Sequence, residues 1–197
     1  MTTLVLYYDE FLFYDFNTAK DFALSISKKQ NLIVKSVPVT YFKSDYLKHI
    51  KKHKPKKIFM LGMDDARKNA HIETRANNKL ITLKNPFLRF LLNIYVYVLK
   101  LFGKNLKMKK SPKKDLLTLK KIEENKPDYK YLKHSLNLKT IKKSNNAHHF
   151  ACNFAIYQIQ KYLDENNLDT KFYFIHIPLN GLSKKQQNEL KKHILNS

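Results

Sequence analysis

FACNFAIYQIQKYLDENNLDTKFYFIHIPL, residues 150–179, reads as a helix that delivers the chain into a buried strand. Within 150–164, Phe154, Ile156, Tyr157, Ile159, Tyr162 and Leu163 recur at helical spacing and mark the side turned to a core. KFYFIHIPL (171–179) is an apolar run of strand length.

The same alternation extends upstream. TLVLYY (3–8) is a short apolar strand, and TAKDFALSISKK (18–29) sets Ala19, Phe22, Ala23 and Ile26 at helical spacing behind a cap at Asn17 or Thr18. LIVKSVPV (32–39) reads as a strand and SDYLKHIKKHKP (44–55) as a short amphipathic helix stopped by Pro55. KKIFMLGM (56–63) is a further strand that ends at Gly62. Later in the chain, Leu116, Leu117, Leu119 and Ile122 predict a helix over 113–125, and LNLKTIKKS (136–144) fits a strand. SKKQQNELKKHIL (183–195) is a closing helix with Ser183 as its cap. Strands and helices alternating at these lengths predict an α/β fold: one three-layer α/β/α domain over 1–197 with a largely parallel, mixed central sheet. Strand order does not follow from the pattern.

PFLRFLLNIYVYVLKLF (86–102) is unusually apolar, but Arg89, Asn93 and Lys100 interrupt it. It falls short of the roughly 20 apolar residues that a membrane-spanning helix needs. A buried helix or strand pair is the simplest reading, with an oligomer interface or a membrane-surface contact as the others.

A chain of 197 residues, 43% hydrophobic and 13% aromatic, has the composition of a folded domain with its own core. Its single cysteine cannot form an internal disulfide, so a reducing compartment, the cytoplasm, is expected. MTTLVLYYDEF lacks a basic region ahead of its apolar stretch and reads as a first strand and not a signal peptide. The net charge of +22 raises the question of a polyanionic partner. The positive charge is almost all lysine, however, with Arg67, Arg75 and Arg89 the only arginines. The lysines are spread along the chain apart from the cluster KMKKSPKK (107–114). A solvated, lysine-biased surface accounts for this pattern, and no specific nucleic-acid partner is expected.

Open α/β sheets place reactive groups beyond the carboxyl ends of their strands. Cys152 falls at the start of the helix after the 136–144 strand, where the helix dipole favours a thiolate. His176 lies near the carboxyl end of the next strand, and Glu73 lies beyond the strand that ends at Gly62. A thiol, an imidazole and a carboxylate at three such positions are the set needed for nucleophilic acyl transfer. On residue type alone each has an ordinary alternative: a lone cysteine on a helix and a histidine in an apolar strand are more often core residues.

Four segments carry a resemblance. SNNAHHFACN (144–153) resembles the pyroglutamyl peptidase (pyrrolidone-carboxylate peptidase) signature, with Ser144, Asn145, Ala147, Phe150, Cys152 and Asn153 matching. FIHIP (174–178) is similar to the family's second signature, an aliphatic-His-aliphatic-Pro run. In LGMDDARKNAHIETRANN (61–78), Gly62, Arg67, Glu73, Arg75, Ala76 and Asn78 keep the family spacing, and VPVTY (37–41) resembles a family strand end. Residues 79–130 show almost no similarity and are expected to be a divergent insert or loop region.

The resemblance implies a phosphorylase/hydrolase-like fold and a thiol peptidase that removes an N-terminal pyroglutamyl residue. Cys152 would be its nucleophile, His176 the base and Glu73 the orienting carboxylate. It also implies that Arg67 helps stabilise developing negative charge and that Phe13, Met63, Phe150 and Ala151 border the substrate. Expected partners are a peptide with a blocked N-terminus and further copies of the chain, with no cofactor.

The departures from the family pattern gather around that pocket. Glu10 stands where the first lactam-stacking phenylalanine would be, with Phe11 one residue away. Leu12 replaces a proline, and Met63 replaces a glutamine. Asp65 and Ala66 replace two glycines, and His148 and His149 replace a glycine and a threonine. His148, His149 and Cys152 lack a second pair of ligands at a recognised spacing, so no metal is expected. Two further readings stay open: a related cysteine hydrolase with altered N-terminal aminoacyl specificity, and a basic, non-enzymatic binding module on the same scaffold.

Overall fold

The computed structural model of the protein describes residues 2–9, 16–83, 85, 117–124, 126–129, 132–134 and 136–195. The expectations that fall on Glu10, Phe11, Leu12 and Phe13, on 86–102 and on 107–114 lie outside the described residues.

Period-two alternation builds the centre of the molecule. In β1 (Thr3–Tyr8), Leu4, Leu6 and Tyr8 face one way and Val5 and Tyr7 the other. β3 (Lys57–Asp64) divides Ile58 and Met60 from Phe59, Leu61 and Met63 in the same manner. β8 (Lys171–Pro178) does so with Phe172 and Phe174 against Tyr173, Ile175 and Ile177. Because both faces are apolar, both must be covered. Helices α1 (Thr18–Ile26) and α4 (Lys184–Leu195) cover one face, while α2 (Lys43–His53) and α3 (Ala151–Glu165) cover the other. Each large side chain fully buried this way contributes about 1.5–3 kcal/mol relative to exposure.

The main sheet has the order β2-β1-β3-β8-β4-β7. β2 (Leu32–Val37), β1, β3 and β8 run parallel. β4 (His71–Glu73) joins β8 antiparallel, and β7 (Lys142–Ser144) runs parallel to β4. The result is the expected three-layer arrangement around a largely parallel, mixed sheet.

Local chemistry fixes the helix ends as the sequence predicts. Asn17 caps α1, its side chain accepting from Ala19 N and Lys20 N at 3.0 and 3.2 Å, and it also donates to Tyr8 O at 2.6 Å. One residue thus ties the start of α1 to the end of β1. α2 closes on Lys54 in the left-handed region (φ 43°), just before Pro55. Ser183 and Gln186 form a reciprocal capping box at α4: Ser183 Oγ accepts from Gln186 N at 3.3 Å, and the Gln186 side chain accepts from Ser183 N at 3.0 Å.

Four expectations change. The predicted helix over 113–125 is replaced, within the described residues, by β6 (Leu117–Lys121), which pairs antiparallel with β5 (Lys79–Leu83). Short Leu- and Thr-containing runs fit both periods, and the partner strand KLITL decides between them. Part of the 79–130 region is therefore ordered sheet and not loop. It is clamped by Asn78, whose side chain bonds the backbone of Glu123 and Lys126. The strand expected over 136–144 contracts to 142–144, because the Glu189 carboxylate takes the N–H groups of Lys139 and Thr140 at 2.6 and 2.9 Å. Glu73 belongs to a strand of its own, β4, and not to a connection beyond β3.

Candidate active site

The alternation in β8 turns His176 to the same face as Phe172 and Phe174, the face covered by α3. Gly62 of β3 is paired with His176 in register and lies on that face as well. α3 brings Cys152, its second residue, down onto this spot. A Cβ on Gly62 would stand 2.9 Å from Phe174 Cζ and 3.2 Å from Cys152 Sγ. The missing side chain therefore lets the sulfur settle against the sheet. Gly62→Ala is expected to displace Cys152 and slow its carboxamidomethylation by iodoacetamide about tenfold or more, with a smaller loss of thermal stability. Unchanged labelling kinetics would show that the close approach is unimportant.

Glu73 arrives from the other side of β8. Antiparallel pairing sets Ile72 against Ile175 and Glu73 against Phe174, and Ile72 belongs to the α1/α4 core. Glu73 accordingly projects to the α3 face, diagonal to His176. His176 Nδ1 and Glu73 Oε1 are 2.7 Å apart, and Arg67 Nη1 donates to the same oxygen at 2.7 Å. Arg67 is further held by Asp64 (Nε–Oδ2 3.1 Å) and by the carbonyl of Asn146. Its guanidinium thus ties the Glu73 and Asp64 carboxylates together beside His176.

The electrostatics follow from these neighbours. Burial works against an imidazolium at His176, but the negative charge and hydrogen bond of Cys152, and then Glu73, outweigh it and push His176 up to about 10. Burial likewise opposes the charged form of Glu73, yet His176 and Arg67 hold it below the usual carboxylate range. Asp64 is held at about 2: burial opposes its charge, while His148 and His176 favour it. Tyr8, pushed upward by burial and by its neighbours Tyr46 and Cys152, donates to Ala151 O at 3.0 Å.

The turn into α3 is unusual in two respects. His148 has φ 59°, a left-handed conformation that a non-glycine residue adopts only when held there, and it replaces a glycine of the resembled signature. Phe150 occupies the N-cap position without a capping side chain, so no cap claims the N–H groups of the first turn. Asn153, fully buried, accepts from Asn77 N and donates to Asn77 O and Lys79 O, each at 2.8 Å. It anchors the Cys152 helix to the segment after β4.

Of the residues singled out in the sequence, Cys152, His176, Glu73 and Arg67 come together. Phe150, at the N-cap just before Cys152's helix, has half its surface exposed (51%), and Ala151 is buried against Tyr8. Met63 is separated from them. It packs in the α1/α4 core at 1% exposure, because position 63 alternates away from Gly62. Phe13 lies outside the described residues. Sequence reasoning missed Asp64 and Tyr8; continuing the alternation of β3 past Gly62 would have put Asp64 on the face of His176. Among the described residues, no cluster of His, Cys, Asp and Glu is arranged to hold a metal ion, and no helix is long and apolar enough to cross a membrane.

Fold and cluster together define a three-layer α/β protein with a thiol, an imidazole and a carboxylate gathered at the carboxyl ends of its central strands. Solved structures share that fold. Pyrrolidone carboxyl peptidase from Thermococcus litoralis superposes with a TM-score of 0.64 at 16% identity, over 99% of this chain and 93% of that one. Pyroglutamyl peptidase I from Bacillus amyloliquefaciens gives 0.64 at 17% identity, over 98% and 92%. The A199P mutant of pyrrolidone carboxyl peptidase from Pyrococcus furiosus gives 0.67 at 16% identity, over 100% and 96%. No family model and no curated protein matches the chain in sequence.

Proposed function

We propose that this protein is a cysteine peptidase that removes N-terminal pyroglutamyl residues from peptides through Cys152, His176 and Glu73. The observation that carries the reading is the buried His176 imidazole, bonded at Nδ1 to Glu73 and directed by β8 toward Cys152. In the proposed reaction the Cys152 proton has already passed to His176, and the sulfur attacks the scissile carbonyl carbon, whose oxygen becomes an oxyanion. Uncapped N–H groups at the start of α3 would donate to that oxyanion, and one such donor typically contributes about 2.7–4 kcal/mol. His176 then protonates the leaving amine as the C–N bond breaks, giving a thioester. A water deprotonated by His176 cleaves the thioester, releasing pyroglutamate and leaving the sulfur beside the reprotonated imidazole. Glu73 holds the imidazole in one tautomer and balances its charge.

The fold of the peptidases named above supports this reading, as do the matching residues around Cys152 and His176. Hydrolysis of a fluorogenic pyroglutamyl amide tests it. Thiol-dependent turnover that is abolished in Cys152→Ser is expected; no turnover by the native protein removes the pyroglutamyl assignment. The position of Met63 favours a second reading, a related cysteine hydrolase with a different N-terminal aminoacyl specificity. Where the resemblance places a lactam-binding glutamine, this chain has a side chain buried in the far core. Preference for another aminoacyl amide over the pyroglutamyl one would support it.

A further inference from the structure

We propose that Asp64 is a second carboxylate of the histidine, a positioning residue that shares with Glu73 the task of holding His176 as it gains its proton. The proposal rests on the catalytic reading of Cys152 and His176. Asp64 ends β3 on the reactive face and is 5% exposed. Its Oδ1 accepts from Ala66 N at 2.9 Å, which fixes the carboxylate and leaves Oδ2 turned inward. Oδ2 lies 3.1 Å from Arg67 Nε, 3.4 Å from His148 Nε2 and 3.9 Å from His176 Nδ1. His148, with a left-handed backbone (φ 59°), thus brings a second imidazole to the same oxygen.

The balance of charge gives this arrangement its meaning. The groups facing His176 are Glu73 from β4, Asp64 from β3, Cys152 from α3, Arg67 from the loop after β3, and His148 from the turn into α3. Two buried carboxylates share one guanidinium. Like charges this close are unfavourable unless a further cation joins them, and a protonated His176 is that cation. The imidazolium formed when Cys152 gives up its proton thus completes a four-group ion cluster. With Glu73 alone, Arg67 would already neutralise the carboxylate and weaken its hold on the imidazolium. Asp64 restores the deficit.

The test compares the native chain with Asp64→Asn, Glu73→Ala and the double variant. Asparagine keeps Oδ1 for Ala66 N and removes only the charge. Two readouts need no knowledge of the substrate: the downfield Nδ1 proton resonance of His176, and the rate of Cys152 carboxamidomethylation by iodoacetamide across neutral pH. Asp64→Asn is expected to shift the resonance and slow labelling about threefold. Glu73→Ala removes the 2.7 Å partner of Nδ1, so it should lose the resonance and label about tenfold slower, and the double variant should label about a further tenfold slower. The proposal is overturned if Asp64→Asn matches the native chain in both readouts, or if the double variant labels as fast as Glu73→Ala. A change in melting temperature with neither readout altered also overturns it, since that is a structural role. If Asp64→Asn does not fold, Asp64→Ser keeps an acceptor for Ala66 N and takes its place. Absence of pyroglutamyl turnover in the native chain would sink the peptidase reading while leaving these comparisons to judge Asp64.

Discussion

His176→Gln is expected to lower kcat/KM on a pyroglutamyl amide by about 10⁴-fold, roughly 5.5 kcal/mol of transition-state stabilisation. Glutamine approximates the size of the imidazole and can still hydrogen-bond Glu73, so fold and substrate affinity should largely survive. What it cannot do is take a proton from Cys152 and pass it to the leaving amine. The loss should therefore appear in kcat, with KM little changed, and circular dichroism should be native. A loss confined to KM would mean that His176 only lines the site.

The second large effect concerns stability. Asn153→Leu preserves volume at a fully buried position but leaves Asn77 N, Asn77 O and Lys79 O without partners. Asn77 is half-buried and Lys79 exposed, so each stranded group costs toward the lower end of about 1–3 kcal/mol, and the penalty is on the order of 3 kcal/mol against a typical domain's 5–15. Urea unfolding would measure it as a lower midpoint at similar slope. Because Asn153 follows Cys152 directly, any folded fraction should also label more slowly at the sulfur. A change below 1 kcal/mol would show that the segment 77–79 is held by other contacts.

Elements with strong periodicity were legible in the sequence, and so was most of the cluster. The alternating run 171–178 and the helix 151–165 gave fold class and the neighbourhood of Cys152 and His176 together. Glu73 was identified by resemblance, but its strand was not: three residues are too few to display a period, and β4 exists only because β8 and β7 pair with it. The strand at 117–121 was misread as helix for the related reason that its partner lies far away in sequence. Met63 teaches a different lesson. Matching a position to a family pattern says nothing about which way the side chain points, whereas counting by twos from Gly62 does. The same count leads to Asp64, whose role depends on distances to Arg67, His148 and His176 that no spacing in the chain encodes.

The charge of +22 finds no counterpart in the cluster, which is rich in carboxylates. The account of the site therefore does not depend on it.

The central claim is that Cys152 and His176 act as one proton-sharing pair. Titrating the His176 ring nitrogens by ¹⁵N NMR in the native chain and in Cys152→Ala tests it most directly. In the native protein the imidazole should keep its proton through neutrality and release it near pH 10. In Cys152→Ala the strongest contribution favouring the proton is gone while burial still opposes it, so release should move down by several pH units, toward the ordinary histidine range. Superimposable titrations in the two proteins would contradict the claim.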